Sequence, residues 1–394
     1  MLAKSNRIVQ WLTLGHFLND FFASGSLAII IAAQTSHLDL SGADIGLAGA
    51  LFQGVSIFQP GIGWLADRLE RPYFLLLGAM GTALGTLIVA LADSIPLIWA
   101  GAIVGGLGSA AFHPIALAGA RAFAPTATRG RAIALFMLGG NGAFAFSPLV
   151  FGYVIDHYGL GSYAPFVIIN LLLVPVMVRQ LGQHIWGRLD TAKPDTANGE
   201  AAFVVVRYMM GAYLVVVFLR SVLNQVLSLY LPLYYTQQDR SLEFAGLATF
   251  VLLIFKAFGA YIGAALSDFF PRRMILLVSL MASTPLLFVL LEAHSIALIF
   301  VSSALLGLMV NASWPIFLMI GQEIMPGGAV GASGFSFGWG FASGSLGVLL
   351  VGLLVDVIGL GNALLIIATT PLLALGLIFL LPDSGKDVSQ GNEL

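Results

Sequence analysis

Apolar segments of about 20 residues recur from one end of the chain to the other, and this feature restricts the fold most strongly. A helix of that length crosses the ~30 Å hydrocarbon core of a bilayer. The alternation of polar and apolar residues that is typical of barrel strands is absent, so helices are the predicted spanning elements. Only 9% of the 394 residues are charged, against roughly 25% in soluble domains. The sequence therefore predicts an all-α membrane protein.

Twelve transmembrane helices are predicted, and one long polar connection divides them into two sets of six. The spans are predicted at residues 8–33, 43–66, 72–92, 95–120, 131–155, 159–180, 207–235, 243–267, 273–292, 295–323, 328–355 and 360–381. The stretch 181–206 predicts a cytoplasmic linker between a domain at 1–180 and a domain at 207–394, which ends in a short polar tail. The first segment is too long for a signal peptide, so we expect it to be retained as the first span.

The distribution of Lys and Arg predicts the orientation in the membrane. Of 17 such residues, 14 lie in loops or at span ends on the side of the N-terminus, one (Arg240) lies on the opposite side, and Arg220 and Lys256 lie deep within spans. Positive loops face the cytoplasm, so we expect both termini there, in a bacterial inner membrane. The net charge of -2 says little about a nucleic-acid partner, and the sequence has no basic tail, so we expect none. We expect a monomer.

The two halves of the sequence resemble one another. The matches at shifts of 200 or 201 are Asp67 with Asp268, Arg71 with Arg272, Pro114 with Pro315, Gly152 with Gly352, Asp156 with Asp356, and 159–161 with 359–361. Two parallel repeats of six helices place a substrate site at their interface, near the middle of the membrane.

The segment Gly63-Trp64-Leu65-Ala66-Asp67-Arg68-Leu69-Glu70-Arg71 resembles the signature loop of the major facilitator superfamily. A weaker copy follows the eighth span, as Leu266-Ser267-Asp268 with Arg272-Arg273. The resemblance implies the major facilitator fold, with two pseudo-symmetric six-helix bundles. It also implies a cytoplasmic charge network that stabilises the outward-open state, and its residues here are Asp67, Arg68, Arg71, Asp268 and Arg272. The alternative is that these are ordinary loop charges on the cytoplasmic side.

A finer resemblance joins four patches of the N-terminal half. Residues 15–20 (GHFLND), 58–60 (FQP), 108–114 (GSAAFHP) and 139–141 (GGN) together resemble the fosmidomycin resistance family of efflux transporters. That family implies proton-driven export of small drugs or metabolites. This chain departs from the family pattern after the His-Pro pair, where Ile115 and Ala118 replace an acid and an Arg, and only Arg121 keeps a charge. Coupling and cargo therefore remain open.

Ionisable residues in the middle of a span point to function, because each costs at least ~2.5–3.5 kcal/mol on insertion scales. Asp20 lies about 18 Å along the first span. His16 shares its helix face, and Asn19 lies beside it. Arg220 occupies the repeat position of Asn19, so we predict an Asp20–Arg220 pair that opens when Asp20 takes a proton. The alternative is a structural pair that joins the two halves.

We predict proton coupling by Asp20, Arg220 and two histidines that titrate near neutrality, His16 and His113. A packing role for His113 is equally compatible with the sequence.

Lys256 gives the central region a surplus of one positive charge, which favours an anionic substrate such as a phosphonate, phosphate ester or carboxylate. The alternative is that Lys256 extends to the lipid headgroups. The predicted substrate-binding residues are Asn19, Gln53, Asn141, Arg220, Asn224 and Lys256. Asn311 and Trp314 are assigned to packing, and Glu323 to a hydrated loop.

The leading functional hypothesis is a secondary active transporter, a proton-coupled antiporter that exports a small organic solute by alternating access. The first alternative is a proton-coupled symporter that takes up a small organic anion. The second is a receptor or scaffold without transport, against which the charges in the spans argue. The chain has no HExxH pair, GxSxG turn or phosphate-binding loop. We therefore predict no enzyme activity, no cofactor and no metal site.

Overall fold

The computed structural model describes residues 2–69, 73–124, 129–181, 203–325 and 328–383, and every regular element in these ranges is a helix. The α-helices are α1 (Leu2–Phe21), α2 (Ser24–Leu38), α3 (Gly42–Gly54), α4 (Gln59–Leu69), α5 (Tyr73–Ala90), α6 (Ile95–Phe123), α7 (Arg129–Tyr158), α8 (Ala164–Leu181), α9 (Phe203–Thr236), α10 (Leu242–Leu266), α11 (Arg272–Leu291), α12 (Ile296–Ala312), α13 (Trp314–Ile324), α14 (Gly328–Ile358) and α15 (Leu360–Ile378). Short 3-10 turns cover Val55–Phe58 and Leu160–Tyr163.

Among the described residues, eleven helical stretches are long and apolar enough to cross a membrane. A shorter apolar stretch, Gly42–Phe58, continues into α4 and corresponds to the second predicted span. Large apolar side chains such as Leu77 and Leu172 are more than 60% exposed, as expected for surfaces that face lipid tails. The prediction of an all-α membrane protein is confirmed.

Three predicted spans are interrupted, which the apolar pattern did not indicate. The first is divided at Phe22 and Ala23, the second at the 3-10 turn Val55–Phe58, and the tenth at Ser313. Pro315 lies in the first turn of α13, where its missing amide hydrogen does not break a helical hydrogen bond. The first and third interruptions lie within three residues of the polar side chains Asp20 and Asn311.

The chain forms two compact units. Unit 1 comprises Met1–Thr191 and Ser228–Phe250, and unit 2 comprises Ala192–Leu227 and Val251–Leu394. The segment 228–250, which the predicted domains place with the C-terminal half, packs within unit 1. There the Tyr230 hydroxyl donates a 3.4 Å hydrogen bond to the Gly42 carbonyl. Residues 182–202 of the predicted linker lie outside the described ranges, so the domain boundaries stay a prediction.

The backbone repeats itself at the spacing that the sequence indicates. Asp39 and Asp239 have positive φ angles of 51° and 58°, and Gly159 and Gly359 have φ angles of 77° and 81°. Each pair is separated by 200 residues. Left-handed residues end helices, so corresponding helices of the two repeats end at corresponding positions.

Each unit has its own apolar core. In unit 1, Leu12, Phe112, Phe136 and Met177 bring α1, α6, α7 and α8 together. In unit 2, a cluster around Tyr213 and Phe317 joins α9 to α13. The first core contacts His16 directly, because the His16 ring stacks on the ring of Phe136 at 4.1 Å.

Candidate functional site

Unit 1 contains a largely enclosed triad of ionisable side chains, made of His16, Asp20 and His113. Nε2 of His16 lies 3.1 Å from Oδ2 of Asp20, and Nε2 of His113 lies 3.2 Å from Oδ1 of the same carboxylate. The side chains of His16 and Asp20 are 4% and 15% exposed, whereas His113 is 32% exposed. The triad is therefore enclosed on the α1 side and accessible through His113.

Helix geometry and one glycine bring the triad together. His16 and Asp20 are four residues apart on α1 and so share one face, and α6 supplies His113. Gly140 of α7 contacts the other side of the pair, where a Cβ atom would lie 2.3 Å from Nε2 of His16 and 2.7 Å from Oδ2 of Asp20. The structure thus brings together within unit 1 three residues to which the sequence analysis assigns proton coupling, and that role stays a prediction.

Backbone carbonyls determine the tautomer of both histidines. Nδ1 of His16 lies 2.8 Å from the Phe136 carbonyl oxygen, and Nδ1 of His113 lies 2.8 Å from the Ser109 carbonyl oxygen. A carbonyl oxygen only accepts hydrogen bonds, so each Nδ1 carries a hydrogen. In the neutral form of either ring, Nε2 then presents a lone pair to Asp20.

The triad consequently needs added protons to be fully hydrogen-bonded. A bare Nε2 and an ionised carboxylate oxygen have no hydrogen to share, so each of the two contacts requires a proton on one of its atoms. The fully bonded triad holds two protons more than a state with two neutral rings and ionised Asp20. Of the described residues, the titratable groups that face Asp20 are these two histidines.

Asn19 supports Asp20 from inside the unit. Its amide nitrogen donates a 2.8 Å hydrogen bond to Oδ1 of Asp20, and its carbonyl oxygen accepts a 2.8 Å hydrogen bond from the Thr82 hydroxyl on α5. Asn19 is fully buried. In this structure it orients Asp20, and the role in substrate binding that the sequence predicts for it stays a prediction.

Gly140→Ala is expected to disrupt the triad, because the added methyl group would overlap both His16 and Asp20. Overpacking of this kind costs about 1–3 kcal/mol of stability. Thermal unfolding of the purified protein should show a lower Tm and transport should fall. Gly142→Ala is the matched control, since no atom lies within 4 Å of its added Cβ. Equal Tm values for the two variants would contradict the packing described here.

Unit 2 holds a buried cation in the middle of α9. Arg220 is 3% exposed. Its guanidinium donates to the side-chain oxygen of Asn311 and, at 3.3 Å, to the Val310 carbonyl. It lies 4.8 Å from the centre of the Trp314 ring. Asn311 and Trp314, which the sequence assigns to packing, therefore surround Arg220, and Nε of Arg220 has no hydrogen-bond partner among the described residues.

Lys256 of α10 is a second buried cation in unit 2, at 6% exposure. Its Nζ donates a 3.3 Å hydrogen bond to the Asn224 carbonyl, and its own carbonyl accepts one of 2.9 Å from Asn311. Lys256 is close enough to Arg220 for their charges to repel. The acidic residues in the described part of unit 2 all lie in loops or within two residues of a helix end: Asp268, Glu292, Glu323, Asp356 and Asp383. None of these acids shares the depth of the two cations along the helices.

The remaining predicted binding residues occupy different environments. Asn141 follows Gly140 on α7 and is exposed, whereas Gln53 lies half-buried near the end of α3. The backbone carbonyl of Asn224 accepts the hydrogen bond from Lys256. The predicted Asp20–Arg220 pair spans the two units and stays a prediction, while each of these residues has the partners described above within its own unit.

The structure describes part of the predicted cytoplasmic charge network. Arg71 lies outside the described residues, Asp67 is in α4, and Arg68 and Asp268 are exposed. Arg272 begins α11 and forms a 2.6 Å ion pair with Glu323 near the end of α13. The sequence assigned Glu323 to a hydrated loop, because a separation of 51 residues gives no sign of its partner.

Among the described residues, two groups of side chains have the spacing to hold a metal ion, although the sequence predicted no such site. The first is the triad, and the second is Asp156, His157 and Glu243. The ligand atoms within each group lie within 4.8 Å of one another. Each group combines residues from two helices, so the ligand spacing along the sequence could not indicate them.

Comparison with known proteins agrees with this architecture. The sequence profile of the Major Facilitator Superfamily matches residues 12–245. The fosmidomycin resistance protein of Escherichia coli (strain K12) is 30% identical over 387 residues, which cover 96% of this chain and 94% of that protein. The MFS-type transporter YfnC of Bacillus subtilis (strain 168) is 31% identical over 383 residues, covering 94% and 91% of the two chains.

Solved structures share the fold at low sequence identity. A bacterial homolog of the human lysosomal transporter Spinster, in an inward-facing and occupied conformation, superposes with a TM-score of 0.79 at 16% identity, covering 95% of this chain and 96% of that one. A D-xylose-proton symporter gives a TM-score of 0.71 at 14% identity, covering 97% and 99%. The chain belongs to the Major Facilitator Superfamily of membrane transporters, as its sequence profile and its relatives show.

Proposed function

We propose that this transporter is a proton-coupled antiporter that exports a small organic anion by alternating access across the bacterial inner membrane, with both termini in the cytoplasm. One observation carries the proposal: among the described residues, the ionisable groups at mid-span are the triad in unit 1 and two buried cations in unit 2. Such groups are costly in a membrane and are typical of ion and substrate pathways.

The triad supplies a site for the coupling ion. His16, Asp20 and His113 gain hydrogen bonds when they gain protons, so proton binding stabilises the arrangement in which both rings contact Asp20. The 32% exposure of His113 offers a route for proton exchange. We assign the proton-coupling role to these three residues, with Arg220 as the charge that responds to the ionisation of Asp20.

The cations of unit 2 supply a site for the substrate. Nε of Arg220 is buried without a hydrogen-bond partner among the described residues, and an unsatisfied buried donor is costly. An anionic group such as a phosphonate, phosphate ester or carboxylate accepts hydrogen bonds from a guanidinium and neutralises its charge. We include Lys256, Asn224, Gln53 and Asn141 in this binding region as predicted from the sequence.

Two arguments bear on the direction of transport. The name of the Escherichia coli relative refers to resistance against a drug, and this supports export. One physical argument favours symport as the second candidate. Each proton that binds to the triad makes the protein more positive, so a bound proton and a bound anion would stabilise one another.

Vesicles with opposite pH gradients separate the two mechanisms. Purified protein in liposomes is given a labelled phosphonate, and accumulation is followed with the lumen either more acidic or less acidic than the medium. An antiporter accumulates the anion in vesicles with an acidic lumen, whereas a symporter accumulates it when the medium is acidic. Equal uptake under both gradients, at the level of protein-free vesicles, would refute proton-coupled transport of that anion.

Lys256→Ala is expected to weaken anionic substrates more than neutral ones of similar size, because it removes one of two buried positive charges. Loss of a buried charge partner costs about 2–5 kcal/mol of binding free energy. The measurement is the increase in Tm that anionic and neutral metabolites give to each purified variant, since ligands that bind the folded state raise its stability. Arg240→Ala, which removes a loop cation, is the control. Equal losses for both substrate classes would overturn the anion assignment.

A further inference from the structure

We propose that Asp156, His157 and Glu243 form a binding site for a divalent transition-metal ion such as Zn²⁺, where the end of α7 meets the start of α10. An ion bound there holds the two helix ends together and inhibits transport. The inhibition rests on the proposed alternating-access function, whereas the binding itself does not.

The three ligands come from two helices within unit 1. Their ligand atoms lie within 4.8 Å of one another, and Nε2 of His157 lies 4.0 Å from Oε2 of Glu243. Zinc bonds of about 2.0–2.2 Å to nitrogen and oxygen place neighbouring ligand atoms of a tetrahedral site roughly 3.4 Å apart. The side chains of His157 and Glu243 are 43% and 48% exposed, so small rotations in solvent close the remaining gap. Imidazole and carboxylate are ligands that Zn²⁺ accepts.

His157 already has the orientation of a metal ligand. Its Nδ1 lies 3.0 Å from the Tyr153 carbonyl oxygen, and its ring stacks on the Tyr153 ring at 4.3 Å. Nδ1 therefore donates, and Nε2 of the neutral ring presents a lone pair towards Glu243. Histidines that bind metals typically donate the other ring N–H to a carbonyl or a carboxylate in this way. Asp156 is held as well, because its Oδ1 accepts a 2.9 Å hydrogen bond from the backbone of Leu242.

Backbone contact fixes the distance between the two helices. A Cβ atom on Gly246 would lie 2.2 Å from the Pro148 carbonyl oxygen, and one on Gly152 would lie 2.8 Å from the Leu242 carbonyl oxygen. Such contacts leave no room for the helices to come closer in this arrangement. The ligands are thus preorganised by a closely packed helix pair, and preorganisation of this kind reduces the cost of binding an ion.

His157 and Glu243 are not repeated in the other half of the sequence, whereas several of their neighbours are. At a shift of 200, Asp156 matches Asp356, Ser241 matches Ser41, and Gly246 matches Gly46. The positions of His157 and Glu243 are occupied by Val357 and Ala43. The two ligands are therefore not part of the sequence that the two halves share, and the repeat supplies natural replacements for them.

The predicted orientation of the spans places this site on the outer face of the membrane. Alternating access requires the outer ends of helices from the two halves to separate when the transporter opens outwards. An ion that joins α7 to α10 favours the closed outer face, and a ligand shifts a conformational equilibrium by its preference for one state.

Metal binding is tested with Zn²⁺ on purified protein that carries a tag without histidines. Wild-type protein is expected to bind one more equivalent of Zn²⁺ than the double variant His157→Val, Glu243→Ala, which carries the residues of the other repeat. Each single variant should weaken Zn²⁺ affinity at least about tenfold. Loss of a residue that only supports a metal ligand already lowers the affinity by about that factor. The control is His294→Val, Glu292→Ala, a pair of the same residue types in the loop after α11. Equal stoichiometry and affinity in wild type and double variant would overturn the site.

Transport is tested by adding Zn²⁺ to one side of the vesicles. Zn²⁺ at the outer face is expected to inhibit wild-type transport at concentrations that saturate the site, and EDTA should restore it. The double variant should keep its uninhibited rate and lose the response. Zn²⁺ binding without inhibition would refute the proposed inhibition of transport but would support the metal site. Inhibition that persists in the double variant would place the ion elsewhere, with the triad as the first position to test.

Discussion

Asp20→Asn is expected to abolish transport driven by a pH gradient and to leave measurable exchange of substrate at equilibrium. The amide has nearly the shape of the carboxylate, and its N–H can donate to the bare Nε2 of one histidine while its oxygen accepts from the other. Both contacts of 3.1 and 3.2 Å therefore have substitutes. What the variant loses is the capacity for one of the two protons and the negative charge that favours a proton on the remaining histidine, so we expect proton binding too weak to drive the transport cycle.

The experiment compares reconstituted wild type, Asp20→Asn and Asp93→Asn with and without an imposed pH gradient. Asp93 is an exposed loop acid, so its variant controls for loss of a carboxylate as such. Driven uptake by Asp20→Asn should fall to the level of protein-free vesicles, while exchange of labelled for unlabelled substrate continues. Driven uptake at the wild-type rate would remove Asp20 from coupling. Loss of exchange as well, with an unchanged Tm, would give Asp20 a part in substrate binding.

Arg220→Gln is expected to remove high-affinity binding of anionic substrates. Arg220 is the cation whose Nε lacks a partner among the described residues. Truncating one partner of a buried charge pair costs about 2–5 kcal/mol, which weakens Kd between about 30-fold and a few thousand-fold. Glutamine keeps an N–H that can donate to Asn311. Asn311, which contacts both Arg220 and Lys256, therefore retains a hydrogen bond in the variant.

The same substitution should not lower the stability of the substrate-free protein. Arg220 is a buried cation without an acid at its depth in the described part of unit 2, and such burial costs free energy. Arg220→Gln relieves this cost while it loses the contact with the Trp314 ring. We expect an unchanged or higher Tm without substrate, together with the loss of stabilisation by anions. Arg240→Gln controls for net charge. A variant that binds anions like wild type would exclude Arg220 from the substrate site, and a much lower Tm would make it a structural residue.

The polar residues of the spans divide into those that sequence could identify and those that required a folded chain. Asp20, Arg220 and Lys256 are apparent from the sequence because a charge in a long apolar segment is rare and costly. The pairing of His16 with Asp20 follows from helical periodicity alone. The approach of His113 to Asp20 does not, since it depends on which faces of α1 and α6 meet. The tautomers of both rings likewise depend on carbonyl groups that helix packing positions.

The partners of three polar or aromatic residues could not be predicted, for one physical reason. Asn311 and Trp314 resemble ordinary packing residues, and Glu323 a loop acid, because their partners Arg220 and Arg272 lie 51 or more residues away. A close approach such as that of Gly140 to His16 also leaves no local signal.

The sequence by itself determined the class of the protein, the number of its spans and the internal repeat, because lipid requires each span to satisfy its own backbone within about 20 apolar residues. Only the tertiary structure decided where spans are interrupted, which side chains surround the buried charges, and that two groups of ligand atoms assemble. These features arise from contacts between helix faces, and the apolar pattern of a single span does not specify which neighbour each face will meet.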